Sequence, residues 1–180
     1  LRRLVTWLIG RPKSARRAPY RTMRVLRAVQ KRNPEISIDI FGCTDAEIEN
    51  SNLAKDFDYI NHGVLKRGQV SALMRENGMF LDLSDFQAFG RTGLEAMACG
   101  CIPVLPSAGG VYEYAEHNVD SYVMDMDDED AIVKQVETFF KLTGFDKERV
   151  INSAIDKSQN FSIRKSALSE LRFFSEIIKD

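Results

Sequence analysis

The sequence lacks a hydrophobic run long enough to cross a membrane. Its longest apolar segments, such as LVTWLIG and IPVLP, fall far short of the roughly 20 residues that a spanning helix requires. Cysteine is scarce, and the odd number and spacing of Cys43, Cys99 and Cys101 support neither a disulfide framework nor a zinc site. These absences favour a cytosolic protein.

An initiator methionine is also missing. The chain begins LRRLVTWLIG, and this apolar run is too short for a signal peptide and lacks a cleavage site. We therefore interpret it as a first β-strand and expect the chain to be part of a longer protein.

What the sequence does contain is typical of one globular domain over residues 1–180. It is 44% hydrophobic and 28% charged, with a net charge of -1. This balance hides a segregation, because residues 1–34 carry eleven Lys or Arg and no acid, whereas residues 113–130 carry eight acids and no base. Such a basic arm could bind nucleic acid, phosphate-bearing small molecules or anionic lipid, or could be a solvated face.

Hydrophobic periodicity predicts alternating strands and helices. We expect strands at LVTWLIG, ISIDIFG, DYIN, MFLDLS, IPVLP and SYVM, with helices between most of them and three helices after residue 127. This alternation predicts an α/β fold, a doubly wound parallel sheet with helices on both faces. The last helices, about residues 146–180, should pack back on the domain.

Three segments follow strands of this sheet and should meet at its carboxyl edge, where such sheets bind ligands. They are GRPKSARR, SDFQAFGRTG and PSAGG. The first offers Arg11, Arg16 and Arg17 for a diphosphate. The third contributes Gly109 and Gly110, a weak signal by itself.

The stretch FGRTGLEAMACG predicts a helix that starts near Thr92 or Gly93. Gly90 and Gly93 would let the backbone approach a ligand, and the helix N-terminus would face an anion such as a diphosphate. Glu95, expected in the first turn and near buried surface, could accept hydrogen bonds from a ribose diol. The alternative is an acid that only compensates the helix dipole.

Other candidate residues give weaker signals. His62 and His117 have no neighbours that mark a nucleophile and are expected to be structural or solvated. The backbone after DYIN, at Gly63, could line a pocket. Cys99 and Cys101 fit small packing positions.

Taken together, these motifs resemble the C-terminal, donor-binding domain of glycosyltransferases with the GT-B fold, in particular the retaining, family-four type (glycosyl transferases group 1). FGRTGLEAMACGCIPVLPSAGGVYEY is similar to the family's pattern of Phe-Gly, four residues, Glu-Ala-Met-Ala, Gly, Pro-Val and a later Gly-Gly. The resemblance covers most of the chain. It implies a Rossmann-like domain, one half of a GT-B fold, with the acceptor-binding N-terminal domain outside this sequence.

The resemblance also implies individual roles. Glu95 would hold the ribose, and Arg11 would bind the diphosphate together with Arg16 or Arg17. The backbone of the loop would meet the donor sugar and phosphate; its residues are Phe89, Gly90, Arg91 and Thr92.

One position departs from the family pattern. The family has a glutamate eight positions before Glu95, and this sequence has Gln87. An amide cannot be a nucleophile or a general base, but it can orient a sugar through hydrogen bonds. The change fits a retaining mechanism in which the leaving phosphate assists the acceptor, a different donor sugar, or no catalysis. We assign Gln87, Arg11 and Arg17 to catalysis through orientation and charge stabilisation.

The resemblance thus implies a retaining hexosyltransferase in bacterial surface polysaccharide or glycolipid synthesis, inactive as an isolated domain. Its partners would be a nucleotide sugar, a carbohydrate or lipid-linked acceptor and its own N-terminal domain, but not nucleic acid. No metal or other cofactor is expected, because arginines and a helix N-terminus supply positive charge. The expected location is the cytoplasm, with peripheral contact at the inner face of the membrane left open.

Two alternatives stay open. A nucleotide-sugar epimerase or phosphorylase could share this plan, although we find neither an acid–base pair nor a cofactor-binding lysine for them. A non-catalytic module could use the basic arm to bind nucleotides or nucleic acid, but the aromatic interleaving typical of such sites is missing.

Overall fold

A computed structural model describes residues 3–7 and 15–178. Within these residues, six strands form one sheet in the order β3-β2-β1-β4-β5-β6, and all neighbours are parallel. The strands are β1 (Arg3–Trp7), β2 (Ser37–Phe41), β3 (Ile60–Asn61), β4 (Met79–Leu81), β5 (Ile102–Pro106) and β6 (Tyr122–Met124). The sheet grows outward from β1 in both directions, so the predicted doubly wound, Rossmann-like α/β fold is confirmed.

Helices connect these strands. They are α1 (Pro19–Arg32), α2 (Asp45–Glu49), α3 (Arg67–Arg75), α4 (Arg91–Ala98), α5 (Glu129–Lys141), α6 (Gly144–Ser158) and α7 (Ile163–Ile177). Short 3-10 helices span Ala15–Arg17, Gly110–Glu113 and Gln159–Phe161. Helix α2, which the sequence pattern did not predict, begins with a capping box between Thr44 and Glu47.

Alternating side chains along β1 divide the core between the two faces of the sheet. Leu4 belongs to the larger apolar cluster, which includes residues of α1 and α5. Val5 belongs to a smaller cluster with Phe80 of β4 and residues of α3 and α4. Helix α6 then packs against α4, so both faces of the sheet are covered.

Ion pairs join part of the basic segment, on α1, to acids at and just before the start of α5. Arg24 pairs with Glu129, and the Arg32 guanidinium lies 2.6 Å from the Asp130 carboxylate. Arg21 lies 3.8 Å from Asp127. Three arginines of the basic segment are thus paired with acids of the acidic segment.

The terminal helices behave differently from each other. α6 buries Val150 and Ala154, as expected of a helix that packs back on the domain. α7 has no buried residue along its described length, and its main contacts are with the 3-10 helix Gln159–Phe161. The expectation for residues 146–180 thus holds for α6 but not for α7, whose apolar side chains are exposed.

Candidate functional site

The segment before α1 is fastened to the loop that follows β4. The Asp85 N–H donates to the Arg16 carbonyl at 2.9 Å, and the Arg16 guanidinium lies over the Phe86 ring, 5.2 Å from its centroid. Arg21 donates to the Leu83 carbonyl at 3.0 Å. The structure therefore brings Arg16 and Arg17 to the carboxyl edge of β4, whereas Arg11 lies outside the described residues.

Backbone hydrogen bonds also join the loop after β4 to the loop after β5. The Gln87 N–H donates to the Ala108 carbonyl at 3.2 Å, and the Gly110 N–H donates to the Gln87 carbonyl at 2.9 Å. A Cβ at Gly109 would lie 1.9 Å from the Gln87 oxygen, and one at Gly110 would lie 2.0 Å from the Ala88 oxygen. These two glycines are thus required by backbone packing, and their contact with a donor stays a prediction.

The start of α4 is fixed by Tyr114. Its hydroxyl donates to the Gly90 carbonyl at 2.7 Å, and Gly90 adopts a left-handed φ of 81° as the N-cap of α4. A Cβ at Gly93 would lie 2.6 Å from a methyl carbon of Leu105. The missing side chains of Gly90 and Gly93 therefore make room for Tyr114 and Leu105, and only the backbone remains to meet a ligand.

Helix α4 begins at Arg91, one or two residues earlier than the sequence suggested. The N–H groups of Arg91 and Thr92 have no preceding helical carbonyl to bond, and the helix dipole favours an anion there. The earlier start also moves Glu95 to the fifth helical position, so its predicted place in the first turn is wrong.

Glu95 lies in a groove between α3 and α4, next to the buried residues Ala96 and Met97. Its side chain is 41% exposed, and the Arg67 guanidinium lies 3.4 Å from its carboxylate. The groove has a volume of about 420 Å³, within the range of small-molecule sites. Its lining consists of Arg67, Gly68, Val70, Ser71, Met74, Glu95, Ala98 and Cys99.

A buried polar cluster lies directly after β4. Asp82, only 6% exposed, accepts hydrogen bonds from the Ser84 hydroxyl at 2.6 Å and from the Gln87 side-chain nitrogen at 2.6 Å. The Ser84 N–H also donates to Asp82, at 3.2 Å. Sequence reasoning missed Asp82, although a carboxylate at the carboxyl end of the apolar run MFLDLS was a usable signal.

The charge of Asp82 acts on two neighbours. Burial lowers the pKa of the half-buried Arg17 guanidinium, and the attraction of Asp82 opposes that shift. Burial raises the pKa of the Tyr114 phenol, and the charge of Asp82 adds to the rise. Gln87 thus contacts this buried carboxylate directly, while Arg17 and Tyr114 lie within range of its charge.

An aromatic cluster holds the rest of the loop. The Phe89 ring lies 5.1 Å from that of Tyr114 and 6.0 Å from that of Phe161. Because the Phe89 side chain packs inward, any contact with a donor would come from its backbone, as the resemblance implies.

The other sequence candidates lie apart from this cluster. His62 is hydrogen-bonded at 2.6 Å to Asp39, a fully buried carboxylate that Arg3 also binds, so His62 is structural. His117 is exposed and lies edge-on to Tyr122. Gly63, which follows the edge strand β3, has a left-handed φ of 66°, and its carbonyl accepts a hydrogen bond from the Gly42 N–H.

Among residues 3–7 and 15–178, no cluster of three or more His, Cys, Asp or Glu could hold a metal ion. In the same part of the chain, no helix has both the length and the apolar character needed to cross a membrane.

The fold and this edge define the protein as a doubly wound α/β domain with a candidate ligand site at the carboxyl ends of its central strands. Residues 17–157 match the model of the glycosyl transferases group 1 family, and the chain belongs to that family. A comparison with curated protein sequences finds no significant match.

Several solved structures share the fold. HepE from Anabaena, in complex with UDP and glucose, is 18% identical, with a TM-score of 0.75 over 93% of this chain and 47% of that one. A glycosyltransferase from Rickettsia africae is 18% identical, with a TM-score of 0.77 over 98% and 48%.

The C-terminal domain of LpcC, a glycosyl transferase group 1 family protein from Francisella tularensis, is 16% identical, with a TM-score of 0.70 over 89% of this chain and 86% of that one. The chain thus spans about half the length of HepE and nearly the whole of the LpcC domain. Its predicted place as one half of a GT-B fold agrees with these matches.

Proposed function

We propose that this chain is the donor-binding half of a glycosyltransferase, which moves a sugar from a nucleoside diphosphate to an acceptor hydroxyl with retention of configuration. Family membership supports the transfer of a glycosyl group, and the similar HepE was crystallised with UDP-glucose. The observation that carries the proposal is the convergence of Arg17, Gln87 and the N-terminus of α4 at one edge of the sheet.

Phosphate binding follows from the charges at this edge. Arg16 and Arg17, with Arg11, would bind the diphosphate, and the N–H groups of Arg91 and Thr92 would donate to its oxygens. Along the axis of α4, Glu95 lies about 7.5 Å from Gly90 at a rise of about 1.5 Å per residue. A donor whose phosphates lie at the helix start can therefore place its ribose beside Glu95 in the groove.

Catalysis would come mainly from stabilisation of the leaving diphosphate by these fixed positive groups. Gln87, which cannot act as a nucleophile or base, would orient the donor sugar. The leaving phosphate would assist deprotonation of the acceptor on the same face, giving retention. A resident metal is not part of this scheme.

The acceptor and the wider context belong to the same proposal. We expect a hexosyl donor, a carbohydrate or lipid-linked acceptor, and a second domain that binds the acceptor, so that the isolated chain binds donor without transferring its sugar. The process would be surface polysaccharide or glycolipid synthesis at the cytoplasmic side of a bacterial membrane. Pairing of the α1 arginines with acids leaves less free positive charge for a nucleic-acid-binding role.

A thermal-shift panel tests this function. UDP-, GDP-, ADP- and dTDP-sugars are added separately to the purified chain, and the best of them is titrated in the presence of excess duplex DNA. We expect one nucleotide class to raise Tm in a saturable way that DNA does not reverse. A Tm that no nucleotide sugar raises would refute the proposal, and a rise with DNA alone would then favour the nucleic-acid-binding alternative.

A further inference from the structure

We infer that Asp82 is a positioning residue for Gln87, fixing its amide with the nitrogen inward and the oxygen toward the donor sugar. This inference rests on the proposed function and names the group that orients the sugar in it. Both carboxylate oxygens of Asp82 already accept hydrogen bonds, from Ser84 and Gln87, so they are not free to contact the ligand. Asp82 acts through its neighbour.

Hydrogen-bond chemistry determines which end of the amide faces inward. The partners of Gln87 are the Asp82 carboxylate at 2.6 Å and the Ser84 hydroxyl at 3.2 Å. Ser84 already donates its own hydroxyl proton to Asp82, at 2.6 Å, so its oxygen is left to accept. Both partners therefore accept hydrogen bonds, and only the NH₂ end of the amide can face them.

The amide oxygen is consequently directed away from the cluster. No hydrogen bond from the described residues reaches Oε1 of Gln87, while the buried side-chain atom left without a partner in this part of the chain is Oδ1 of Asn77. Oε1 therefore keeps contact with solvent. A Cβ at Gly90 would lie 3.4 Å from Cβ of Gln87, which places residue 87 beside the start of α4.

This arrangement gives a physical reason for an amide at residue 87 of this chain. A glutamate there would bring a second carboxylate within hydrogen-bond distance of buried Asp82, and two such carboxylates cannot both ionise easily. Glutamine with Asp82 behind it presents the same acceptor oxygen without that repulsion. The carboxylate in this chain is that of Asp82, which lies behind residue 87, where the family pattern has a glutamate.

Four proteins test the inference: the parent, Asp82→Asn, Gln87→Glu, and the double variant. The readout is the sugar increment, defined as the Kd of UDP divided by the Kd of UDP-glucose, or the same ratio for the nucleotide sugar that gives the largest thermal shift. It is measured between about pH 5.5 and about pH 8.5. Arg17 and Tyr114 lie within range of the Asp82 charge, but neither titrates in this pH range, because arginine stays protonated and burial raises the pKa of Tyr114.

The increment of each variant is expressed relative to that of the parent at the same pH, because the terminal phosphate of UDP itself titrates near pH ~6 and changes the parent ratio. In Gln87→Glu it should fall about tenfold toward high pH, the worth of one hydrogen bond, as the shared proton is lost. In Asp82→Asn it should fall about tenfold at every pH, because the Gln87 amide can then rotate and exchange the places of its oxygen and nitrogen. The double variant should regain most of the increment without pH dependence, since the asparagine introduced at residue 82 can donate to the glutamate introduced at residue 87.

Urea unfolding without ligand gives an independent readout. A carboxyl group introduced at residue 87 beside Asp82 would have a raised pKa when folded, so Gln87→Glu should lose stability as pH rises, and the double variant should not. If Asp82→Asn fails to fold, the pH profile of Gln87→Glu decides.

Two results would overturn the inference and leave the proposed function in place. They are a parent-like increment in Asp82→Asn, or a pH-independent, parent-like increment in Gln87→Glu. If no nucleotide sugar binds the parent, the proposed function fails and the sugar-orienting role fails with it, even where unfolding shows that the two residues are coupled.

Discussion

Glu95 is the residue at which binding and stability can be separated most cleanly. Its side chain is half-exposed and its ion pair with Arg67 is solvent-facing, so removing it should change the free energy of unfolding by less than about 0.5 kcal/mol. Loss of two charge-assisted hydrogen bonds to a ribose should weaken nucleotide binding by about 2 to 3 kcal/mol. Titration calorimetry of Glu95→Ala measures this, with Glu148→Ala on α6 as the control. Unchanged affinity would make Glu95 a surface acid of α4.

The two described arginines of the proposed phosphate site should differ in their contribution to binding. Arg17 is half-buried near Asp82, whereas Arg16 is exposed and stacks on Phe86. Because exposed charges are more strongly screened, Arg17→Ala should weaken UDP binding more than Arg16→Ala does. Neither change should alter the affinity for uridine, which has no phosphate. Equal losses for UDP and uridine would contradict phosphate contact.

At the scale of elements, the contact between the loops after β4 and β5 allows no extra atom. Gly110→Ala should lower the free energy of unfolding by about 3 kcal/mol, the upper end of overpacking costs, because its Cβ would meet the Ala88 carbonyl. Gly144→Ala is the matched control, since a Cβ there meets nothing within 4 Å. It should be neutral or stabilising by about 0.5 kcal/mol in α6. Urea unfolding of both variants distinguishes backbone packing from a general cost of losing glycine.

The α1–α5 contact should respond to charge reversal. Arg24→Glu would place two acids together at Glu129 and should cost about 1 kcal/mol, as expected for an exposed pair. Adding Glu129→Arg should restore most of that loss, and added salt should reduce both effects. A double variant no more stable than Arg24→Glu alone would show that the pair contributes nothing.

Much of this architecture could be predicted from the sequence because its signals are local. Alternating apolar patterns gave the strands, and glycines with Glu-Ala-Met-Ala gave the loop and helix of α4. Asp82 and Gln87 were different, because their pairing depends on the turn between residues 82 and 87, which no periodicity describes. The roles of Gly109 and Gly110 were also hidden, since the carbonyls they accommodate lie more than 20 residues away in sequence.

At the scale of the whole molecule, α7 should be dispensable for folding. Its described residues are all exposed, so a chain ending at Ser162 should keep its free energy of unfolding within about 1 kcal/mol. A chain ending at Thr143 loses Val150 and Ala154 of α6 from the core and should lose several kcal/mol. Similar losses in both truncations would mean that α7 contributes to the fold through contacts made in solution.

The glycine contact between the loops after β4 and β5 also affects how the protein can change over evolutionary time. These loops hold each other through main-chain hydrogen bonds, which any residue type at the exposed positions Ala88, Ser107 and Ala108 can preserve. Mutational drift at these three positions can therefore alter the surface offered to a ligand while the glycines keep the two loops in register. Substitutions at these positions can therefore change which ligand is preferred without a loss of fold stability.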